Sequence, residues 1–578
     1  MEDPTSERIS CSGRIGRFFT LYWRVLVLII TPCLAALVFL LDTTPSHRCM
    51  FVVLIMAAYW IFEALPLPIT SMLPVVLFPL LGILETDRTC MMYMRETLLM
   101  FMGGLFLALA IEHCNLHKRI ALKVICSIGC SQRKLNFGLL TVTMFVSMWI
   151  SNTATVAMMC PIMKAVLEEL ESQSLCQMYL KPISDSKEED KQSHELPIPS
   201  RITICYFTGA AYAASIGGCG TLLGSGTNLT FKGIYESRFP EGNPIDFFRF
   251  TIYNIPGMLL GTFFVWFYLQ VVYMGMFRPT STAARESSIS KEGQAIAHGV
   301  IMNRYGELGP ITSHEISVAA LFLVSIVLFF SRQPGFTTGW ADLLPEKKIQ
   351  DATPAILTVL ALFVFPENWN WLNFFKINPS SLPTAPSPSL ISWKFINDKT
   401  PWSLIFLLGG GFALAEGGRV SGMSAMIGQA LSGLKNLPLL LLLFIVCLTV
   451  HVLTEFASNV AICNIVLPVL AEMSLAMELH PLYLMLPVAL SCSYSFMMPV
   501  GTPPLALVAG LSHIRTKDLI KAGVGVKIIM LLIICGIFPI YGPIVYPEIK
   551  SFPGWARPMM NTSESPSHNA SILRLLTE

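Results

Sequence analysis

Nine apolar runs set the outer limit on what this chain can fold into. They lie at residues 25–41, 50–65, 71–84, 98–111, 253–273, 316–330, 355–366, 439–452 and 526–546, and further runs are broken by Gly or Pro. Segments of this kind suit a bilayer, whose hydrocarbon core is crossed by about 20 apolar residues in a helix. Charged residues make up only 13% of the 578, whereas soluble domains carry about a quarter. The expected fold is an all-α polytopic membrane protein.

Charge placement sets the expected topology, because Lys and Arg collect at the cytoplasmic ends of membrane helices. Arg8, Arg14, Arg17 and Arg24 precede the first run; Lys118, Arg119, Lys123, Arg133 and Lys134 follow the fourth. Arg278, Arg285, Lys291 and Arg304 come after the run that ends near Phe277. These segments and the N-terminus are expected inside. The first run is too long for a signal-peptide core and is expected to stay as an anchor. Asn561-Thr-Ser and Asn569-Ala-Ser in the polar tail are glycosylation acceptors, usable only outside the cell. An inside N-terminus and an outside C-terminus require an odd number of crossings, about 11. Asn228-Leu-Thr also fits the acceptor pattern but lies in apolar surroundings and is set aside.

Several functions are excluded or left without support. No P-loop, dinucleotide fingerprint or nucleophile motif stands out, which argues against an enzyme and an ATP-driven pump. His314-Glu315 lacks the second His of a zinc HExxH site and marks a helix start. The 15 cysteines form no CxxC pair and read as small apolar helix residues. A net charge of +2 gives no reason to expect a nucleic-acid partner. Polar stretches at 184–200, 280–310 and 378–393 divide the chain, and none reads as a folded soluble domain.

An internal repeat carries the functional signal. "LLMFMGGLFLALAIE" begins at Leu98 and "LIFLLGGGFALAEGG" at Leu404; matching Gly103-Gly104 to Gly409-Gly410 also aligns Phe106 with Phe412. Ser151 follows Gly103 by 48 positions and Ser458 follows Gly409 by 49. Ser147 and Thr454 stand four residues before those serines, Asn152 and Asn459 directly after, Pro161 and Pro468 ten after. Each half then has a Gly-broken segment, "GGCGTLLGSGTNLTF" from Gly217 and "MMPVGTPPLALV" from Met497.

Non-helical backbone at membrane depth survives only where protein or an aqueous cavity covers it. Repeat-built transporters use such breaks at the midplane, with helix N-termini toward an anion and freed carbonyls toward a cation. Each Ser-Asn point therefore reads as the tip of a re-entrant hairpin facing a carboxylate or sulfate. Ser147 and Thr454 add hydroxyl oxygens toward a hard cation such as Na⁺. Neither tip contains Lys or Arg, which favours an affinity that rises and falls with a mobile coupling ion. A single Ser or Asn in a membrane helix commonly makes only an interhelical hydrogen bond worth about 1 kcal/mol. Two such points in register need a further explanation. Glu63, Glu112, Glu416, His451 and Glu455, in or beside apolar runs, are candidate proton or gating groups.

The segments "WISNTATVAMMCPIM", "GGCGTLLGSGTNLTFKGIYESRFP", "GGGFALAEGGRVSGM", "SNVAICNIVLPVLAEMSLAMELHPLYL" and "VGTPPLALVAG" carry a resemblance to a known family. From about residue 24 to 555 the chain resembles the divalent-anion/sodium symporters, in particular their dicarboxylate and citrate transporters. The resemblance implies an inverted-repeat elevator-type carrier with two re-entrant hairpins, acting as a homodimer in the plasma membrane. It implies transport of citrate, succinate and related di- and tricarboxylates, with no organic cofactor and Na⁺ as the candidate coupling ion. A sulfate carrier and a non-transporting scaffold or sensor are the alternatives.

By motif, Asn152, Thr153 and Ser225 would meet substrate from one side and Ser458, Asn459, Thr502 and Pro503 from the other. Ser147, Ser151, Asn152 and Gly224 would form one cation site, Thr454, Ala457, Asn459 and Gly501 the second. The implied parts are a cytoplasmic segment (1–23), first-repeat scaffold (24–135) and transport part (136–276), and a cytoplasmic linker (277–312). The second scaffold (313–432) and transport part (433–548) and an extracellular tail (549–578) complete the chain. Two departures from the family pattern fall in the second half. Val460 stands where the first tip has Thr153, and Leu505 stands where the family often has Asn. Cation-coupled transport and sodium-independent exchange are both compatible with them.

Overall fold

The computed structural model describes residues 11–556, apart from 129–130, 174–175, 181–197, 279, 282–283, 285–290, 334–336, 345–348, 376–381, 432 and 434–436. Asn561 and Asn569 lie outside the described residues, as do Arg8, Arg285 and most of the charged loop. Tyr179–Leu180 and Ile198–Pro199 pair antiparallel at the base of that loop.

The first half runs through α1 (Cys11–Ala35), α2 (Pro45–Phe62), α3 (Leu67–Ser71), α4 (Leu73–Leu80), α5 (Thr86–Met91) and α6 (Glu96–His113). It continues with α7 (Leu116–Ile128), α8 (Gln132–Ser147), α9 (Asn152–Ser172), α10 (Arg201–Gly218), α11 (Gly226–Arg238) and α12 (Phe247–Val272). The second half has α13 (Lys291–Glu307), α14 (Ser313–Arg332), α15 (Ala352–Val364), α16 (Trp393–Lys399), α17 (Trp402–Val420) and α18 (Met423–Leu431). It ends with α19 (Leu439–Leu453), α20 (Asn459–Ala476), α21 (Leu482–Cys492), α22 (Pro503–Ser512) and α23 (Thr516–Val545). The order α6, α8, α9, α10, α11, α12 recurs as α17, α19, α20, α21, α22, α23.

Among the described residues, eight helices are long and apolar enough to cross a membrane, and five shorter apolar helices accompany them. Four of the short ones, α15, α19, α21 and α22, belong to the second half. On α1 and α23, Leu21, Ile29, Ile540 and Ile544 are exposed by 61–74%. Apolar surface of that extent is costly in water and suits lipid. The interior is built around α10, buried from Ile202 to Gly218.

Two local readings are refined. His314-Glu315 begins α14, where Thr312 and Glu315 form a capping box. The stretch 280–310, expected as a polar linker, contains α13. Ala297 and Ile301, one turn apart, are buried where α13 packs on α7 and α9, so a short apolar stripe suffices to fold it.

Buried charges are paired, as the low-dielectric interior demands. Lys232 on α11 meets Asp351 at 3.1 Å and Glu236 at 2.9 Å, and Asp351 also meets Arg332 at 2.7 Å. Arg119, one of the basic cluster at residues 118–134, is drawn inward to Glu315 at 3.1 Å. Glu416 is held by Arg88 and Arg419, which gives that candidate gating residue a structural partner on each side.

Candidate functional site

The first tip is the four-residue turn between α8 and α9. Ser147 closes α8 and is fully buried; its hydroxyl donates to Asn152 Oδ1 at 2.6 Å. Ser151 caps α9, accepting from the Ala154 N–H at 3.3 Å, and the Asn152 and Thr153 side chains are half-buried. The second tip reproduces the arrangement. Thr454, also fully buried, donates to Asn459 Oδ1 at 2.7 Å and lies 2.7 Å from the Cys492 carbonyl. Ser458 precedes α20 at the capping position but makes no side-chain cap bond. The two hydroxyl-to-Asn bonds, each spanning five residues, are one motif made twice.

The Gly-broken segments match as closely. Ser225 and Thr502 occupy the position before α11 and α22 with nearly the same extended backbone, φ −145°, ψ 143° and φ −143°, ψ 135°. α11 therefore opens with the Gly226 and Thr227 N–H groups, which no turn of helix satisfies, whereas α22 opens on Pro503-Pro504, which carry none. The Thr502 hydroxyl is buried with no partner among the described residues, and Pro503 at the first helical position is exposed. Ser225 bonds Thr227 at 2.8 Å, and Thr227 in turn bonds Ser493 from the other half.

Glycines make the breaks possible by letting oxygens approach. A Cβ on Gly224 would lie 2.6 Å from the Gly218 carbonyl oxygen and 2.9 Å from that of Met148. One on Gly218 would overlap Asn152 Oδ1. The first tip and first break thus share a cluster of neutral oxygens around Ser147, Asn152, Gly218 and Gly224. At Gly501 a Cβ would overlap Ser495 Oγ and lie 2.8 Å from the Thr454 carbonyl oxygen. The second cluster is therefore Thr454, Asn459, Ser495 and Gly501, with Ala457 buried beside it. Neutral hydroxyl, amide and carbonyl oxygens fit a hard monovalent cation, the use that unwound helices serve in ion-coupled carriers.

The halves interlock crosswise. α9, leaving the first tip, packs on α22, and α20, leaving the second tip, packs on α11. Val460 Cγ2 comes within 3.0 Å of where a Gly226 Cβ would stand, and Cys463 Sγ lies 3.6 Å from the Thr227 carbonyl oxygen. The first turns of α20, which follow Ser458, are thereby brought against the start of α11, which follows Ser225. The residue that departs from the first tip's pattern, Val460, sits at this seam.

Some site residues escaped the sequence reading. Thr221 bonds the Met148 carbonyl, fastening the first tip to the first break. Asn228, fully buried, donates to the Gly218 and Thr221 carbonyls at 2.9 and 2.7 Å. Its polarity in an apolar segment was the available signal. Glu455, expected from the sequence as a candidate proton or gating group, accepts from the N–H groups of Phe496, Met497 and Met498 and from Ser495 Oγ. Lys527, from α23, sits 2.7 Å from Glu455 Oε1, so a basic residue does stand beside the second tip. It is distant in sequence, so inspection of the tips alone misses it.

Comparison with known proteins shows the family. The family profile described as the sodium:sulfate symporter transmembrane region matches residues 19–546. The chain belongs to that family. Protein I'm not dead yet of Drosophila melanogaster is 50% identical over 560 residues, covering 96% of this chain and 95% of that one. Na(+)/dicarboxylate cotransporter 3 of Mus musculus is 37% identical over 571 residues, covering 92% and 94%. Na(+)/citrate cotransporter of Rattus norvegicus is 34% identical over 570 residues, covering 93% and 98%. Members of this family are transporters rather than enzymes, and this chain is a multi-pass membrane protein of their kind.

Proposed function

We propose that the protein is a secondary carrier of di- and tricarboxylates of the citrate and succinate class, working at the plasma membrane. The observation that carries this reading is the crosswise meeting of two neutral polar tips with two helix-opening breaks. The opening N–H groups of α11 on one side, with the Asn152 and Asn459 amides and the Thr502 hydroxyl, suit an anion with two acidic groups. Asn152, Thr153 and Ser225 hold it from one side, Ser458, Asn459, Thr502 and Pro503 from the other. The relatives named for dicarboxylate and citrate cotransport support the same substrate class.

Movement of the transport parts (136–276 and 433–548) against the scaffold parts as an elevator gives alternating access. The Ser147–Asn152–Gly224 cluster, with Ser151 at its rim, is the cation site that fits best by its neutral oxygens. Assembly as a homodimer, a cytoplasmic N-terminus and a glycosylated extracellular tail complete the reading. The test is uptake of radiolabelled citrate and succinate by cells expressing the protein, with Na⁺ replaced by choline in parallel. Asn152→Ala and Asn459→Ala should abolish uptake with surface expression kept. Absence of uptake of either acid by the native protein, or full uptake by both variants, would overturn the reading.

A further inference from the structure

The two oxygen clusters differ in one buried feature. After Ser147 comes Met148, whose carbonyl accepts from Thr221; after Thr454 comes Glu455, a carboxylate only 2% exposed. Three backbone N–H groups of residues 496–498 and the Ser495 hydroxyl point at it, and Ser495 is the same side chain that abuts Gly501. Alone, this carboxylate would make one wall of the second cluster negative and draw a small cation strongly. It is not alone. The Lys527 ammonium lies 2.7 Å from Glu455 Oε1 and also donates to the His451 carbonyl in the last turn of α19. It ties α19, the second break and α23 together and brings the wall to zero net charge.

We infer that Lys527 is a resident cation that takes over the electrostatic role of a coupling ion at the second cluster. A mobile cation is then taken at the first cluster alone. With the wall neutralised, Thr454, Asn459 and Gly501 keep only dipoles, and an incoming Na⁺ meets an ammonium one side chain away. The first cluster has only neutral oxygens, so its attraction for a cation is completed by the charge of the bound anion, which is coupled binding. The inference rests on the carrier reading for its meaning in transport. Its electrostatic content stands on the geometry.

The test uses purified full-length protein in nanodiscs, with thermal unfolding followed in Na⁺ or choline at constant ionic strength, with and without citrate. Lys527→Met leaves Glu455 without its counter-charge and should tighten apparent Na⁺ affinity tenfold or more over the native protein. Lys527→Arg, and Lys527→Met combined with Glu455→Gln, should show the native Na⁺ response. A native Na⁺ response in Lys527→Met, or an equally enhanced one in the double variant, overturns the inference. The native protein supplies a check independent of any variant's folding. Its citrate uptake should depend on Na⁺ hyperbolically or not at all, and a sigmoidal dependence requiring two Na⁺ overturns the inference. Failure of citrate to stabilise the native protein would count against the carrier reading, while the Na⁺ response of Lys527→Met would still decide the role of Lys527.

Discussion

Gly218→Ala is the sharpest probe of the first tip. Gly218 is the last residue of α10, and an added Cβ would overlap Asn152 Oδ1 and lie 2.9 Å from Nδ2 and 3.0 Å from Cγ. All three amide atoms are crowded, so the whole group must move. Its Oδ1 is the acceptor of the 2.6 Å bond from Ser147, which that movement breaks. Overpacking costs about 1–3 kcal/mol and the lost hydrogen bond about 1 kcal/mol. Replacing Gly in a helix returns about 0.5–1 kcal/mol. The net is about 2 kcal/mol, and if it falls on the binding-competent geometry, half-saturating citrate rises about 30-fold. Gly411→Ala is a matched control, because its Cβ would overlap the Asn464 amide on α20 in the same way. Asn464 donates to the Leu407 carbonyl on α17 and belongs to neither oxygen cluster. Both variants should lose similar thermal stability, while Gly411→Ala keeps half-saturation within about twofold of native. The assay is labelled-citrate uptake normalised to surface biotinylation, with unfolding temperatures on purified protein. Native half-saturation in Gly218→Ala would refute the placement of Asn152 in the site.

Further outcomes follow from the same geometry. Thr502→Val removes a buried hydroxyl that has no partner among the described residues, so thermal stability should hold or rise slightly. Half-saturating citrate should rise about tenfold, measured by uptake, if that hydroxyl meets the anion. Asp351→Asn removes one of two carboxylates from both Lys232 and Arg332, which keep Glu236 and Asp246, and should destabilise by about 1–3 kcal/mol in denaturation experiments. His480, between α20 and α21, is buried with its Nδ1 accepting from the Leu482 N–H, and desolvation lowers its pKa to about 4. A lowered pKa means the unfolded chain takes up the proton first. This contribution to stability is complete above about pH 6.5 and is lost as pH falls toward about 4. His480→Asn should flatten that part of a stability–pH curve measured by thermal unfolding.

The sequence exposes whatever is periodic or repeated. The apolar runs were legible because bilayer thickness dictates their length, and the two Ser-Asn tips because the same spacing to hydroxyl, Asn and Pro occurs twice. The hydroxyl-to-Asn bonds follow almost directly from that spacing. Contacts between segments far apart were not legible. Nothing near Glu455 in sequence announces Lys527, and nothing near Lys232 announces Asp351. α13 was missed for another reason: two buried residues, Ala297 and Ile301, hold it in place within an otherwise polar stretch, too few to stand out as an apolar period. The crosswise packing of α9 on α22 and α20 on α11 is a property of the folded pair of repeats that neither repeat encodes by itself.

That packing bears on how neutral tips serve transport. A carrier must release its anion as readily as it takes it up, so permanent charge aimed at the anion would trap it on one side of the membrane. Here the permanent charges are cancelled in pairs: Lys527 with Glu455, Lys232 with Asp351 and Glu236, Arg238 with Glu472. What faces the seam between the halves is dipolar: Asn amides, the Thr502 hydroxyl, and the opening turn of α11. Dipoles hold an anion firmly while water is excluded and weakly once water returns, since each can exchange its partner for a solvent molecule. The repeat supplies two such surfaces, and the difference between Met148 and Glu455 with its Lys527 lets only one of them depend on a mobile ion. On this argument, symmetry provides the binding site and its local failure sets the ion dependence.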